Sequence, residues 1–174
     1  RFGAIDDLEG GTTGRYNISV DYHFMEGYDH DFMVQAYMSS YDFKLYSNFT
    51  FYLEDPVNGD MIEQTDNRNI YGINTRYTFQ KQLGNMRFLT RTGLMYRGDH
   101  VDLSLWKSPD RNRMEVLTNS SVNEVNMALW LEEDVVFSRK FKLQLGLRGD
   151  YLTFNVLDHL DSPDIPENGS SRSR

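Results

Sequence analysis

The sequence predicts an all-β chain of about six long antiparallel strands in up-and-down order. Apolar and polar residues alternate in about six segments, the connections between these segments are short and long in turn, and aromatic residues recur beside the short connections and again about eight residues further along. A period of two gives each strand one apolar and one polar face. Such a sheet suits lipid on one side and water on the other, as in part of a transmembrane β-barrel.

The first predicted strand, at residues 14–24, shows the alternation most clearly, with apolar even positions and polar odd positions. These even positions are Tyr16, Ile18, Val20, Tyr22 and Phe24. A second strand is predicted over residues 31–53, after a short connection. Its apolar positions change parity after Ser39–Ser40, as a β-bulge or a departure from the membrane would require.

The third and fourth strands are predicted over residues 69–80 and 86–106, joined by a short turn. A long polar connection, residues 54–68, precedes the third strand, and its Asn58–Gly59 pair is a common signal for a two-residue hairpin. The fourth strand also changes parity after Tyr96.

The fifth and sixth strands are predicted over residues 122–137 and 141–156, again joined by a short turn. The polar stretch 107–121 forms the second long connection, and the tail 157–174 is predicted to be a loop. Short periplasmic turns and long extracellular loops are typical of outer-membrane barrels. The three short turns are therefore predicted to face the periplasm.

Composition limits the possible classes of protein. The chain has 174 residues, no cysteine, a formal charge of -8 and a mean hydropathy of -0.60. The absence of a long apolar run excludes a transmembrane helix from the sequence pattern. The acidic balance argues against a nucleic-acid partner, and the lack of cysteine excludes a disulfide framework. Because the chain begins at Arg1 without methionine, we expect it to be a single barrel segment, residues 1–174, of a longer product.

Aromatic residues are predicted to form two girdles at the membrane interfaces. About eight residues along a tilted strand rise ~20 Å, close to the ~25 Å that separates such girdles. The predicted girdle residues are Tyr16, Tyr22, Phe24, Phe32, Tyr71, Tyr77, Phe79, Phe88, Tyr96, Phe137, Phe141 and Tyr151. Between them, Glu133 is the single charge on the apolar face, near a short turn.

The opposite face carries the charge and is predicted to line a lumen. Its main candidates are Arg76, Arg87, Arg91, Arg97, Glu124, Glu132, Arg148 and Asp150. Opposite charges on neighbouring strands would form a ladder, each pair contributing ~0.2–1 kcal/mol. A soluble β-sandwich would instead bury the apolar face against a second sheet. The predicted strands are longer than the five or six residues usual in sandwiches.

Three segments resemble a known family. These segments are Arg1–Asp6 with Gly10–Gly11, Asn48–Asp60, and Gly146–Val156, which contains Gly-Leu-Arg-Gly-Asp-Tyr. They are similar to the barrel of TonB-dependent outer-membrane receptors, particularly those of the Bacteroidota. The resemblance implies a 22-stranded barrel in the outer membrane of a Gram-negative bacterium, filled by an N-terminal plug domain. It also implies TonB-driven import of a scarce nutrient: a ferric siderophore, haem, cobalamin or a glycan. The plug and the segment that binds TonB are absent from this sequence.

Few residues suggest site chemistry, and the sequence predicts no cofactor, no catalytic residue and no enzyme. The weak metal candidates are Asp55, Asn58, Asp60 and Glu63, whose oxygens could hold Ca²⁺ or belong to a solvated acidic loop. The other candidates are His100 with Asp99 and Asp102, for a metal-loaded ligand, and Tyr41, Tyr46 and Trp106, for stacking on a ligand or packing in loops.

Two other classes of protein remain open at this point. A passive porin-like barrel would show the same strands without a plug domain. A soluble β-rich binding module would bury the apolar face within its own fold. Serines such as Ser121 have no general base at a recognisable spacing, so hydrolase chemistry lacks support.

Overall fold

The computed structural model describes residues 6–160, and six long strands form one antiparallel sheet. The strands are β1 (Gly10–Glu26), β2 (His30–Ser47), β3 (Ile62–Leu83), β4 (Met86–Lys107), β5 (Glu115–Ser138) and β6 (Phe141–Asp158). Their order in the sheet is their order in the chain. This confirms the predicted all-β, up-and-down fold. Within the described residues no helix is both long and apolar enough to cross a membrane.

The two ends of the sheet differ as the sequence predicts. Residues 27–29, 84–85 and 139–140 form the short turns at one end, whereas residues 48–61 and 108–114 form the long connections at the other. Gly27 and Gly84 have φ values of 65° and 61°. Glycine reaches this left-handed region at little cost, which is why it occupies the tight turns. We call the two ends the turn end and the loop end.

The pairing register assigns every strand residue to one of two faces. Face A is the face that carries Ile18, Met38, Ile73, Tyr96, Met127 and Tyr151. Face B is the opposite face, which carries Asp21, Gln35, Asn74, Met95, Ala128 and Asp150. Residues directly opposite each other in a β-ladder point to the same side of the sheet. The apolar positions of the sequence thus form a continuous band on face A.

Face A is exposed, and the sheet has little core of its own. Ile18, Leu129 and Leu147 are 65%, 60% and 76% exposed. Burial of such side chains is the main force that holds soluble folds together. All six strands belong to one sheet, so the described residues provide no second layer against which face A could pack. The β-sandwich alternative therefore does not hold within residues 6–160.

The second strand ends earlier than predicted, at Ser47 instead of residue 53. Asn48 ends it, because the Asn48 amide N–H donates to Glu9 Oε1 at 3.0 Å and the Asn48 Nδ2 donates to Asp6 Oδ2 at 2.6 Å. The Asn48 side-chain oxygen also accepts the N–H of Phe51 at 3.0 Å. Asparagine side chains that bond nearby backbone compete with the ladder in this way.

The other strands are longer than predicted. β3 begins at Ile62 and β5 at Glu115, so parts of both predicted polar connections pair in the sheet. β1 begins at Gly10, and β6 continues to Asp158, which the sequence places in the tail. Residues 161–174 of the predicted tail loop and the first five residues lie outside the described part of the chain.

The parity changes are not bulges. The register of β2 runs unbroken through Ser39 and Ser40 against both neighbours, and that of β4 runs unbroken from Tyr96 to Val101. Register shifts occur instead at Leu105/Trp106 and near Val136/Ser138. Of the two interpretations open from sequence, the bulge is wrong.

The Asn58–Gly59 hairpin prediction is also wrong. Gly59 N–H donates to the Asp55 carbonyl oxygen at 2.9 Å, which closes a wider turn than a two-residue hairpin. The side-chain Oδ1 of Asp55 accepts the N–H groups of Val57 and Asn58 at 3.1 and 2.9 Å. The aspartate thus caps this turn, and the strands do not continue through it.

Candidate functional site

Face B carries all eight residues that the sequence places on a charged face. The register puts them on the side opposite the apolar band: Arg76, Arg87, Arg91, Arg97, Glu124, Glu132, Arg148 and Asp150. The twelve predicted girdle aromatics are Tyr16, Tyr22, Phe24, Phe32, Tyr71, Tyr77, Phe79, Phe88, Tyr96, Phe137, Phe141 and Tyr151, all on strands. The register places them on face A, and Phe137, beside the register shift, contacts Phe141 with ring centres 5.3 Å apart.

Near the turn end, face B carries a cross-strand ion network centred on Arg91. Its Nε lies 3.2 Å from Glu132 Oε2, and its Nη2 lies 2.9 Å from Asp134 Oδ2. Lys142 on β6 reaches the same Asp134 oxygen at 3.0 Å. The sequence predicts Arg91 and Glu132 but misses Asp134, which shares the parity of Glu132 on β5 and is 4% exposed. The network joins β4, β5 and β6 on one face.

Elsewhere on face B, arginines pair with carboxylates two residues away on their own strand. Arg97 Nε lies 2.8 Å from Asp99, and Arg148 Nη2 lies 2.7 Å from Asp150. Residues i and i+2 of a strand point to the same side. The predicted cross-strand ladder is therefore partly replaced by pairs within strands, and Arg87 and Glu124 lie on this face outside both arrangements.

Face B also holds most of the polar atoms that lack a partner. Of eight such buried side-chain atoms in the described chain, six belong to residues of face B: Asp31, Asp66, Arg68, Arg76, Asn126 and Asp134. Buried polar groups in folded proteins nearly always have a hydrogen-bond partner. Face B is thus the side that needs further polar contacts.

At the loop end, Glu63 is the most enclosed charged residue, with 1% of its surface exposed. Arg113 donates to it twice, from Nη2 to Oε1 at 2.7 Å and from Nε to Oε2 at 3.0 Å. Lys44 lies 3.4 Å from the same carboxylate. The hydrogen bonds from Arg113 lower the pKa of Glu63, although desolvation opposes them. Glu63, a weak metal candidate from the sequence, is the acceptor of a bidentate ion pair in the structure.

Arg113 belongs to the connection 108–114, which we call the strap. Its guanidinium lies 4.9 Å from the ring centre of Trp106, and that of Arg111 lies 4.8 Å from the ring centre of Tyr46. Arg111 Nε also donates to the Leu8 carbonyl oxygen at 2.9 Å. The strap thus crosses face A from β4 towards β1, held by cation–π contacts.

Three aromatic residues near the loop end, Tyr41, Tyr46 and Trp106, contact arginines. Tyr46 and Trp106 face arginines of the strap, and the Arg15 guanidinium lies 5.0 Å from the Tyr41 ring centre. Each of the three rings therefore contacts an arginine side chain of the same chain.

The acidic loop is organised by its own hydrogen bonds. Asp55 accepts the backbone amides named above and an ion pair from Lys107 at 3.0 Å, and these contacts lower the pKa of Asp55. Asp60 accepts the N–H groups of Glu54 and Asp55 at 3.0 and 2.7 Å. Among residues 6–160, no three His, Asp or Glu side chains are arranged to hold a metal ion.

The histidine candidate forms a polar cluster on face A. His100 Nε2 lies 3.2 Å from Asp102 Oδ2, and His100 Nδ1 bonds Asn123 Oδ1 at 2.7 Å. Ser121 bonds both Asp102 and His159 Nε2. The carboxylate contacts the serine and not the second histidine, so the cluster lacks the order of a catalytic triad.

We expect Arg113→Ala to release the strap from the sheet at neutral pH. The substitution removes the bidentate partner of Glu63 and the contact with Trp106. Because the native pKa of Glu63 is lowered, its ion pair contributes stability above the unfolded pKa of ~4.3, and this contribution is lost as pH falls through the native pKa. Hydrogen–deuterium exchange should show residues 108–114 protected at pH 7, deprotected once the pH has fallen through the lowered native pKa of Glu63, and deprotected under both conditions in Arg113→Ala.

The matched control is Arg139→Ala, which removes an exposed arginine from a short turn at the opposite end. It should leave exchange in the strap unchanged. Equal protection of the strap in Arg113→Ala and in the unchanged protein would contradict the assigned role of the Glu63–Arg113 pair.

No known protein family matches the sequence, and no curated protein matches it significantly. Solved structures match its fold. The ferric citrate transporter FecA in its unliganded form has a TM-score of 0.75 and 13% identity, and the match covers 92% of this chain and 23% of that protein. BauA, the ferric preacinetobactin receptor of Acinetobacter baumannii, has a TM-score of 0.65 and 11% identity, covering 92% and 27%. The chain spans about a quarter of each, and both are named for transport or reception, not catalysis.

Proposed function

We propose that this chain is part of the barrel wall of a TonB-dependent outer-membrane receptor that imports a scarce nutrient. The observation that carries the proposal is the single six-stranded sheet with an exposed apolar face A and a charged face B. An aqueous exterior would leave the apolar band of face A unburied, whereas a bilayer covers it. The fold likeness to two receptor barrels supports the same conclusion.

The height of the apolar band on face A matches the thickness of a bilayer. On β1 the face A residues are apolar from Tyr16 to Phe24, and on β5 they run from Val125 to Val135 with Glu133 as the exception. Eight to ten residues at ~3.3 Å each, on strands tilted by about 35°, span ~22–27 Å along the membrane normal. The apolar band of outer-membrane barrels is ~25 Å tall.

The stagger of the aromatic residues supports the tilt used above. Following the paired residues from strand to strand, Tyr16 on β1 is level with Asn155 on β6, which lies four residues beyond Tyr151. In the same way, Phe24 on β1 is level with Leu147 on β6, which lies six residues from Phe141. Both displacements run towards the turn end across five strand-to-strand steps. One residue of ~3.3 Å for each ~4.8 Å step gives a tilt of about 35°, at the edge of the 35–45° range of membrane barrels.

In this orientation the short turns face the periplasm, and face B faces the lumen. The partner of face B would be the plug domain, encoded outside this chain, which would meet the unpartnered polar atoms there. The outer edges of β1 and β6 have no strand partner within the described residues and would pair with the rest of the barrel. TonB would act through the N-terminal part that carries the plug.

Among the nutrients considered, a ferric chelate is the first candidate. The two solved structures are named for ferric citrate and ferric preacinetobactin. Haem, cobalamin or a glycan is the alternative substrate. The resemblance to receptors of the Bacteroidota is a separate part of the proposal, and it rests on the sequence segments alone. The ligand would contact this chain at the loop end of face B.

Single cysteines test the orientation, because the chain has none of its own. In intact cells, Leu129→Cys and Ile73→Cys on face A should resist a charged maleimide, and Asn123→Cys, two residues beyond Val125 on face A, should react. Asn126→Cys, on face B of the same strand as Leu129, should react once the receptor is opened to the lumen by mild denaturation of the plug. Rapid labelling of Leu129→Cys in cells would contradict the membrane assignment.

A further inference from the structure

A polar cavity of about 580 Å³ lies at the loop end of the sheet. Its strand residues include Asp42, Asn67 and Asp102, which the register places on face A, the face of the apolar band. The register is continuous between the apolar band and the cavity, so both belong to the same side of the wall. In the orientation proposed above, on which this inference rests, the cavity lies outside the lumen and opens towards the outer leaflet.

The height of the cavity above the lipid follows from the strand geometry. Tyr71 is the last apolar residue of face A on β3, and Asn67 and Thr65 of the cavity lie four and six residues beyond it. On strands tilted by about 35°, these residues stand ~11 and ~16 Å above Tyr71. The polar head-group layer of one leaflet is ~5–8 Å thick. The cavity is therefore level with groups that extend beyond the phosphates of the outer leaflet.

The lining of the cavity is suited to hydroxyl groups. Thr12, Thr65, Asn67, Ser104 and Asn119 contribute hydroxyl and amide side chains from four strands. Such groups both donate and accept hydrogen bonds, as do the hydroxyl groups of sugars. The volume lies within the ~300–1,000 Å³ range of small-molecule sites.

The charges of the cavity disfavour a strongly ionic occupant. Lys44 and Arg113 line the cavity but bind Glu63, and Asp42 and Asp102 add negative charge beside them. An isolated phosphate would therefore find cations already paired and carboxylates nearby. The Arg113–Glu63 pair also fixes one wall of the cavity before any ligand arrives, which lowers the cost of binding.

We propose that this cavity binds the neutral sugars of an outer-leaflet glycolipid head group. The glycolipid would lie with its acyl chains against the apolar band of face A and its sugars in the cavity. Such a site would anchor the wall in the glycolipid leaflet, on the side opposite the nutrient path.

The test uses the intact receptor in phosphatidylcholine nanodiscs that contain rough lipopolysaccharide, with bound glycolipid counted by native mass spectrometry. Asn67→Leu and Asn119→Leu should each reduce retention about tenfold, the effect of losing one or two hydrogen bonds to sugar. Gln64→Leu is the matched control, because Gln64 is exposed on face B of β3. It should retain glycolipid like the unchanged receptor.

Two further probes identify the part of the glycolipid that binds. Lipid A without core sugars should be retained weakly by all variants, and the soluble core oligosaccharide should compete poorly because it lacks the acyl chains. Equal retention by Asn67→Leu and Gln64→Leu, strong retention of sugar-free lipid A, or tight binding of the free oligosaccharide would each overturn the proposal. Nutrient uptake and the cysteine labelling pattern should be unchanged in Asn67→Leu, so failure here is distinct from failure of the proposed function.

Discussion

Leu129→Lys is expected to destabilise the receptor in lipid by about 2–4 kcal/mol, the cost of a lysine near the midplane on the lipid face of a barrel. Leu129 is 60% exposed, and the register places it between Leu94 and Gly149 in the middle of the apolar band. A bilayer cannot hydrate the ammonium group there. The measurement is reversible denaturant unfolding of the intact receptor in lipid vesicles, with the fraction assembled in the outer membrane as a cellular readout.

Asn126→Lys is the control for Leu129→Lys, since it adds the same side chain to the same strand on face B. It should destabilise the receptor less than Leu129→Lys does, because face B offers polar groups to the ammonium group, whereas lipid does not. The comparison also separates the membrane proposal from a soluble one. If face A met water, an exposed leucine could become lysine without loss, so equal stability of the two variants would contradict the lipid assignment.

The apolar alternation located the strands but not their full length. It reports contact with an apolar medium, whereas strand pairing depends on backbone hydrogen bonds that any side chain permits. β3 and β5 therefore extend through Ile62–Arg68 and Glu115–Ser121, where neither face is consistently apolar. The same reasoning accounts for the parity changes near Ser40 and Tyr96, where the register continues and only the pattern of side chains changes.

Period two alone was enough to assign the charged residues to face B, but not to assign their partners. Arg91 meets Asp134 as well as Glu132, and Arg148 pairs within its own strand. Such choices depend on the register and on side-chain reach. The Glu63–Arg113 pair was not predictable in the same way, because it joins residues 50 positions apart through the path of a loop. An acidic residue followed by an arginine-rich loop, Arg111 and Arg113, was the only local signal.

Gly93→Ala is expected to cost about 3 kcal/mol, at the upper end of the effects of overpacking. A Cβ at this position would overlap the carbonyl oxygen of Thr75 and would lie 2.8 Å from Cζ2 of the Trp130 ring, which covers the glycine on face B. The ring could move, but the carbonyl belongs to the neighbouring strand, so β3 and β4 would have to separate. Denaturant unfolding of the intact receptor in lipid should therefore show a lower midpoint.

Removing the ring tests this division of the cost. In a Trp130→Ala background, Gly93→Ala should still destabilise the receptor, but by less than it does when the Trp130 ring is present. Part of the cost remains because the Thr75 carbonyl is still in place. Gly149→Ala is the matched control, because nothing lies within 4 Å of the added Cβ and the residue also lies within a strand. It should change stability by no more than about 0.5 kcal/mol. A Gly93→Ala receptor as stable as Gly149→Ala would mean that β3 and β4 do not approach as closely at Gly93 as the contact with the Thr75 carbonyl requires.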